Sequence, residues 1–141
     1  MLFRAGGERF ALPLEAVSEV VTPEPPFVRV PRAPASVRGA MNLRGRVVAV
    51  VELSFLVGLD GERLPDGRGQ VLVLDRERHG LGFLVDGVLG VEPVPALERP
   101  GAGPPVRGLA TVRDAPVAVL DPDLLSEVAH RLFGGKATPA G

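Results

Sequence analysis

Several residue types are absent from this sequence or rare in it. Its 141 residues include no cysteine, tryptophan or tyrosine, and only two histidines. Without cysteine, disulfides, thiolate metal sites and cysteine nucleophiles are excluded, so the fold must be held by its apolar interior. Without tyrosine or tryptophan, and with six phenylalanines, few rings are available to stack on nucleic-acid bases.

The chain also lacks an excess of either charge. Sixteen basic and 17 acidic residues give a formal net charge of -1, which offers no general attraction to nucleic acid or to an anionic membrane. Met1–Gly7 lacks the cationic start and apolar run of a leader, and no stretch approaches the roughly 20 apolar residues of a membrane-spanning helix. We therefore expect a cytoplasmic protein.

What the sequence does contain is an internal repeat. Val37–Glu52 and Val106–Asp121 both begin Val-Arg-Gly, both contain Val-Ala-Val, and both end on an acidic residue. Arg44 and Arg113 fall at the same step of the two copies. Agreement at this many positions indicates duplication of one structural unit.

The segments upstream of each copy correspond as well. Phe10–Val17 aligns with Leu81–Val88 in apolar character and in its acidic residue, and a proline-rich connector follows each. We predict a single domain over residues 1–135, with a first barrel at about 10–60 and a second at about 70–125. An N-terminal strand and a C-terminal helix would pack across both, and residues 136–141 would form a flexible tail.

The repeated segments carry strand and turn signals. Valine-rich runs bounded by Gly, Pro and Asp favour strands, and their continuous apolar character requires that both faces be covered, as in a small barrel or two packed sheets. Met41–Val51 predicts a hairpin in which Gly45 supplies the positive φ of a tight turn, with Asp114 in that place in the second copy.

Helical signals follow each predicted hairpin. Glu52–Val57 predicts a short helical turn. In the second copy Asp121 suits a helix cap and Pro122 the first helical position. An apolar stripe then follows, formed by Leu124, Leu125, Val128 and Leu132.

No catalytic, cofactor-binding or metal-binding residue is predicted. His79 and His130 have no partner at ligand spacing, and the glycine-rich pieces lack the lysine and helix of a phosphate site. Phe83–Gly87 is superficially similar to the active-site loop of aspartic proteases, but the first copy offers only Glu15 followed by Ala16. A turn at Asp86–Gly87 is the favoured interpretation.

Four segments together resemble the CheW family of bacterial chemotaxis coupling proteins. They are Phe10–Val20, which holds the Leu-x-x-Val-x-Glu-Val pattern, Val37–Gly45, Val47–Leu53 and Val85–Val88. The resemblance runs from about Phe3 to Leu132, and Gly-x-x-Asn-Leu-Arg-Gly is its most specific part. The second copy departs from it, since it lacks a second Asn-Leu-Arg-Gly.

The resemblance implies a mainly β fold of two fused five-stranded SH3-like barrels around a shared apolar core, with short helices and a C-terminal helix. It implies a non-enzymatic chemotaxis adaptor without cofactors. One surface would bind the regulatory domain of the histidine kinase CheA and another the cytoplasmic tip of methyl-accepting chemotaxis receptors. The protein would be cytoplasmic and recruited to membrane-associated receptor arrays, with no nucleic acid bound and no membrane insertion.

The resemblance also implies a partner-binding set near the first hairpin, facing the receptor. The alternative interpretation of Val17 and Leu43 is that they are buried core residues. Asn42 is as well suited to bonding the turn backbone, and Arg44 to being a solvated charge. The predicted set is Val17, Glu19, Arg38, Asn42, Leu43, Arg44 and Gly45.

Two other functions stay open from the sequence. One is a CheW-like adaptor of another motility or two-component pathway, such as twitching. The other is a β-barrel module that binds nucleic acid or a small ligand, against which the near-neutral charge and the scarcity of aromatic residues count.

Overall fold

A computed structural model describes residues 1–24, 26–59, 64–65, 67–74 and 80–133 of the chain. The fold is mainly β, with a C-terminal helix, as predicted. Its strands are β1 (Leu2–Ala5), β2 (Glu8–Ala11), β3 (Val17–Val21), β4 (Val37–Leu43), β5 (Arg46–Glu52), β6 (Gln70–Leu74), β7 (Leu81–Val85), β8 (Gly87–Gly90), β9 (Arg99–Gly103), β10 (Val106–Val112) and β11 (Ala115–Leu120). The α-helices are α1 (Leu53–Leu56) and α2 (Pro122–His130), with short 3-10 turns at Leu14–Ala16 and Arg131–Phe133.

The strands form two sheets of matching design. One has five strands in the order β3-β6-β7-β5-β4, and the other has six in the order β8-β1-β2-β11-β10-β9. Each sheet contains one parallel pair, β5 with β7 and β2 with β11, among otherwise antiparallel neighbours. Apart from the additional edge strand β9, the two sheets correspond strand for strand.

This correspondence shows that the two repeats exchange hairpins. In sequence, each repeat is a hairpin, a single strand and a second hairpin, with β9 as an additional strand before the last hairpin of the second repeat. The β6–β7 hairpin of the second repeat pairs with β3 and β5 of the first repeat. The β1–β2 hairpin of the first repeat pairs with β8 and β11 of the second. The limits of about 10–60 and 70–125 for the barrels stay a prediction, but each sheet takes strands from both repeats.

The apolar core is shared between the sheets. Its largest cluster contains Phe3 and Phe10 from the six-stranded sheet, whose rings stack with centroids 5.9 Å apart, and Phe83 from the five-stranded sheet. Leu53 of α1 and Leu125 of α2 complete this cluster. Two smaller clusters lie within the individual sheets, one around Val71 and one around Val117. Burial of these side chains, each worth about 1.5–3 kcal/mol, drives the assembly.

Local signals for turns and caps are confirmed. The β4–β5 turn is Arg44-Gly45 with φ of 52° and 85°, and the β10–β11 turn is Arg113-Asp114 with φ of 52° and 63°. The Asp121 carboxylate accepts hydrogen bonds from the backbone N–H groups of Asp123 at 2.9 Å and Leu124 at 3.2 Å, which caps α2. His79 and the tail at 136–141 lie outside the described residues.

Candidate functional site

The predicted partner-binding set centres on the tip of the β4–β5 hairpin. Leu43 and Arg46 pair across the strands, which leaves Arg44 and Gly45 as a two-residue loop with both φ angles positive. This is the turn type that matches the right-handed twist of a hairpin, and glycine fits its second position without a steric penalty. The Arg44 side chain is 69% exposed at this tip.

Asn42 stabilises the turn through a hydrogen bond from its own side chain. Its Oδ1 accepts a hydrogen bond from the Gly45 backbone N–H at 2.8 Å. This hydrogen bond confirms that Asn42 stabilises the turn. The residue is also exposed, so it is accessible to a partner. A side-chain amide bonded to its own turn is a local device, so it fixes the tip without help from the rest of the fold.

Arg44 forms an ion pair with Glu19, a residue from a distant part of the chain, and we call this pair at the hairpin tip a clasp. One guanidinium nitrogen, Nη2, donates to Glu19 Oε1 on β3 at 2.5 Å, and the Glu19 side chain is 26% exposed. The hydrogen bond and charge of Glu19 raise the pKa of Arg44 above its ordinary value, so the guanidinium is permanently charged. Because β3 and β4 are the two edges of the five-stranded sheet, the clasp connects those edges at the tip.

Two apolar members of the set are half-buried. Leu43 packs against the cluster inside the five-stranded sheet, and Val17 packs against the shared core. Beside Val17, the Ser18 hydroxyl donates to the Val73 carbonyl at 3.0 Å at an irregularity in the β3–β6 pairing. The structure thus gives Val17 and Leu43 a packing role and leaves part of each accessible.

Arg38 lies apart from the other six residues. It is five residues before Leu43 on β4, about 17 Å along an extended strand. Its side chain is 10% exposed and forms an ion pair with the 2% exposed Glu52 at 3.0 Å. It also donates to the Leu64 carbonyl, and its guanidinium lies 5.7 Å from the ring centroid of Phe27. These contacts give Arg38 an internal, structural position.

The remaining residues form one surface, which we call the first-tip surface. The ion pair and the turn hydrogen bond join Glu19, Asn42, Arg44 and Gly45 directly, and Val17 and Leu43 flank them on β3 and β4. The first-tip surface comprises Val17, Glu19, Asn42, Leu43, Arg44 and Gly45.

Sequence reasoning missed that the second hairpin repeats this clasp. Arg113 Nε lies 2.9 Å from the Glu92 carboxylate, with the two side chains 75% and 27% exposed. The repeat had aligned Arg113 with Arg44, so half of this second clasp was visible in the sequence. Glu92 was not identified because it lies outside the aligned segments, just after β8.

An apolar groove was missed as well. It is a cavity of about 370 Å³ on the six-stranded sheet. Three large apolar side chains at its wall are exposed: Leu14 at 49%, Val91 at 59% and Leu97 at 42%. Exposed apolar side chains grouped around one groove are typical of a surface that binds another molecule. Part of the groove wall comes from the proline-rich connector, whose fold-back against the sheet is not evident from composition.

The described residues were predicted to hold no metal site, and their acidic and histidine side chains can be compared with that expectation. Within the described ranges, no three histidine, aspartate or glutamate side chains are grouped so that they could hold a metal ion. Asp86 Oδ2 accepts a hydrogen bond at 3.5 Å from the backbone N–H of Gly7, which is 79 positions away in the chain and not in the predicted Asp86–Gly87 turn. In the same part of the chain, no helix has the length and apolar character needed to cross a membrane.

The chain matches a known protein family and a solved structure. The model of the CheW-like domain family matches residues 1–130. The chain is similar to a structure described as scaffolding protein TtCheW from Thermoanaerobacter tengcongensis, with a TM-score of 0.76 and 25% identity. The superposition covers 97% of this chain and 94% of that one. It confirms the predicted fold class of two SH3-like units.

Curated relatives match a shorter part of the chain. Protein PilI of Pseudomonas aeruginosa is 33% identical over 93 residues, which are 66% of this chain and 51% of PilI. Chemotaxis protein CheW of Rhizobium meliloti is 36% identical over 88 residues, which are 61% of this chain and 54% of that protein. The matched region thus spans about half the length of these relatives.

Proposed function

The chain belongs to the CheW-like domain family, and on that premise we propose that it is a non-catalytic chemotaxis adaptor. In this role it couples the cytoplasmic tips of methyl-accepting chemotaxis receptors to the histidine kinase CheA. It binds the regulatory domain of the kinase and, through the first-tip surface, the receptor. It acts in the cytoplasm, recruited to membrane-associated receptor arrays.

The observation that carries this proposal is the clasped arginine at the first tip. An exposed ion pair contributes little to stability, so the main consequence of the Glu19–Arg44 pair is to fix the direction of the guanidinium. Only Nη2 bonds to Glu19, and the other N–H groups of this exposed guanidinium can donate to a partner. A side chain ordered before binding loses less entropy on association, and arginine is favoured at interface anchors.

The apolar groove supports the adaptor role with a second surface. Its exposed Leu14, Val91 and Leu97 can bury apolar side chains of a partner, in the way that an amphipathic helix is held in a groove. Two separate surfaces on one rigid body allow two partners to bind at once. Simultaneous weak contacts then hold the assembly together through effective concentration.

The experiment that tests the proposal is a kinase assay with CheA and receptor-containing membranes, with and without this protein. We expect receptor-dependent control of kinase activity only when the protein is present. Leu14→Ser/Val91→Ser is expected to weaken this control while the circular dichroism spectrum stays that of the parent. An assay in which the parent protein changes neither kinase activity nor its response to stimulus would contradict the proposal.

A second candidate is a CheW-like adaptor of another motility or two-component pathway, such as twitching. The similarity to Protein PilI favours keeping it, because this relative matches a larger share of the chain than the Rhizobium CheW does. Deletion of the gene, followed by separate swimming and twitching assays, distinguishes the two pathways. Loss of twitching alone would support this second candidate.

A further inference from the structure

Two arginines face each other on the β1–β2 hairpin, away from the first-tip surface. Arg4 and Arg9 are direct cross-strand partners, so their side chains lie on the same face with Cβ atoms about 4.5–5.5 Å apart. Like charges placed directly opposite in a sheet are destabilising. We call Arg4 and Arg9 the basic pair.

The basic pair has no counter-ion within the described residues. Neither guanidinium takes part in an ion pair or a side-chain hydrogen bond with any residue that the structure describes. Glu8, the neighbour of Arg9, forms no ion pair with either guanidinium. Its single negative charge is fewer than the two positive charges, so the basic pair and Glu8 together stay net positive, and both arginine side chains are only partly buried.

A cavity of about 310 Å³ opens beside the basic pair. Its floor is apolar, formed by Leu109, Pro116 and the fully buried Val117. Because β2 and β11 run parallel, the β1–β2 turn and the β10–β11 turn lie at the same end of the six-stranded sheet. The cavity thus combines two cations and one carboxylate, Glu8, with an apolar floor at one end of the six-stranded sheet, and its net charge is positive.

The fold itself does not require this arrangement. In the five-stranded sheet, the β6–β7 hairpin takes the place of β1–β2, and its pairing aligns Val73 with Gly82 where β1–β2 aligns Leu2 with Ala11. By this correspondence, the position of Arg9 is occupied by Gly80 in the other repeat, so at least one of the two cations has no counterpart there. The basic pair is therefore a property of this sheet's sequence and not of the shared architecture.

We propose that the basic pair and its cavity bind an acidic segment of a partner protein. A carboxylate can accept hydrogen bonds from both guanidinium groups, which relieves their repulsion, and an apolar residue next to it can lie on Leu109 and Pro116. Charge complementarity selects an anionic occupant, and the apolar floor favours a peptide over a bare inorganic anion. This site is separate from the first-tip surface, so it is independent of the receptor contact.

The test uses isotope-labelled full-length protein and two peptides, observed by NMR. One peptide has two adjacent glutamates between a leucine and a valine, and its counterpart has two glutamines instead. We expect the glutamate peptide to shift the backbone amides of Gly7, Arg9 and Ala115 with saturation, and the glutamine peptide to bind at least 10-fold more weakly. Equal shifts from both peptides, or no shifts from either, would overturn the proposal.

Variants separate the basic pair from general charge effects. Arg4→Gln/Arg9→Gln is expected to weaken binding of the glutamate peptide at least 10-fold, whereas Arg29→Gln/Arg68→Gln, which removes two exposed charges elsewhere, leaves it within about 2-fold. Single Arg4→Gln and Arg9→Gln variants should unfold at a temperature equal to or above that of the parent, because repulsion is relieved. A lower unfolding temperature in both would show that the arginines are structural and would overturn the proposal.

Inorganic phosphate serves as the competing probe. We expect it to displace the glutamate peptide only at concentrations well above those of the peptide. If phosphate saturates the same amides more tightly than the peptide does, the site is a phosphate site and the proposal of an acidic protein segment is wrong.

Discussion

The two hairpin tips share a backbone and a clasp but differ in charge. Both place an arginine at φ 52° and hold it with a glutamate from a neighbouring segment. The first tip combines Arg44 and the exposed Arg46 with Glu19 and is net positive, whereas the second combines Arg113 with Asp114 and Glu92 and is net negative. Duplication thus supplies two copies of one geometry, and a few side chains at the turn then give the copies different electrostatic surfaces.

The bases of the two hairpins differ as well. At equivalent positions of the repeats, Arg38 and Glu52 form a buried ion pair, while Arg107 is exposed and Asp121 caps α2. A helix follows each hairpin, α1 after β5 and α2 after β11, but the acidic residue pairs with the arginine in the first copy and caps the helix in the second. An arginine and an acidic residue thus recur at equivalent positions of the two repeats but have different structural roles.

The largest expected effect comes from breaking the buried pair. Arg38→Met removes the ion pair with the buried Glu52 carboxylate, which is expected to lower the free energy of unfolding by about 3–5 kcal/mol. The matched change at the repeat-equivalent position, Arg107→Met, should alter it by less than about 0.5 kcal/mol because this residue is exposed. Urea unfolding of the two variants makes the measurement. Similar losses in both would show that the two hairpin bases are not distinct.

The next effect concerns binding. Arg44→Ala is expected to weaken receptor binding and kinase control with little change in the unfolding temperature, because it removes an exposed anchor and no core contact. Arg113→Ala removes the corresponding arginine of the second clasp and should leave receptor binding close to that of the parent. Receptor pull-down with both variants makes the comparison.

The reciprocal variant Glu19→Gln sharpens this prediction. It keeps Arg44 but removes the charge that directs it, so receptor binding should fall less than with Arg44→Ala. If Arg113→Ala weakens receptor binding as much as Arg44→Ala does, the two tips are functionally equivalent, and their difference in charge does not select the partner.

The smallest expected effect comes from exchanging the turn residues. Gly45→Asp should destabilise the protein by about 1 kcal/mol, since its φ of 85° suits glycine and the cost is one of backbone conformation alone. No atom lies within 4 Å of a Cβ built there, so no clash adds to this cost. Asp114→Gly should change stability by less, because relief at φ 63° is offset by the greater freedom of glycine in the unfolded chain. Thermal unfolding of the two variants tests this asymmetry.

Features that depend on near neighbours were predicted correctly from the residues. The two-residue turns at Arg44-Gly45 and Arg113-Asp114 and the Asp121 cap involve contacts a few residues apart, so the local sequence specifies them. The partner-binding role of the candidate site stays a prediction, and the structure shows only how its residues are placed. The resemblance placed Glu19 near Arg44, which the ion pair confirms, but it included Arg38 in a set from which the structure separates it.

Long-range features were not evident in the pattern. Glu92 reaches Arg113 across 21 positions of the chain, and the basic pair acquires its cavity only when β11 lies beside β2. Repeat alignment identifies equivalent residues, but it does not state which faces will be covered or which side chains will meet.

The sequence is sufficient to establish that this chain is a tandem repeat of hairpins, strands and tight turns. The repeat follows from comparing two segments of the chain, and the strand and turn signals lie within about ten residues of one another. The exchange of hairpins between the repeats is settled only when distant strands pair, as β5 does with β7 and β11 with β2. The edge of a strand forms hydrogen bonds with whichever strand the packing of the core places beside it. A parallel partner also requires a long crossover connection. The composite sheets, and the surfaces that they present, therefore follow from the assembled core and not from either repeat alone.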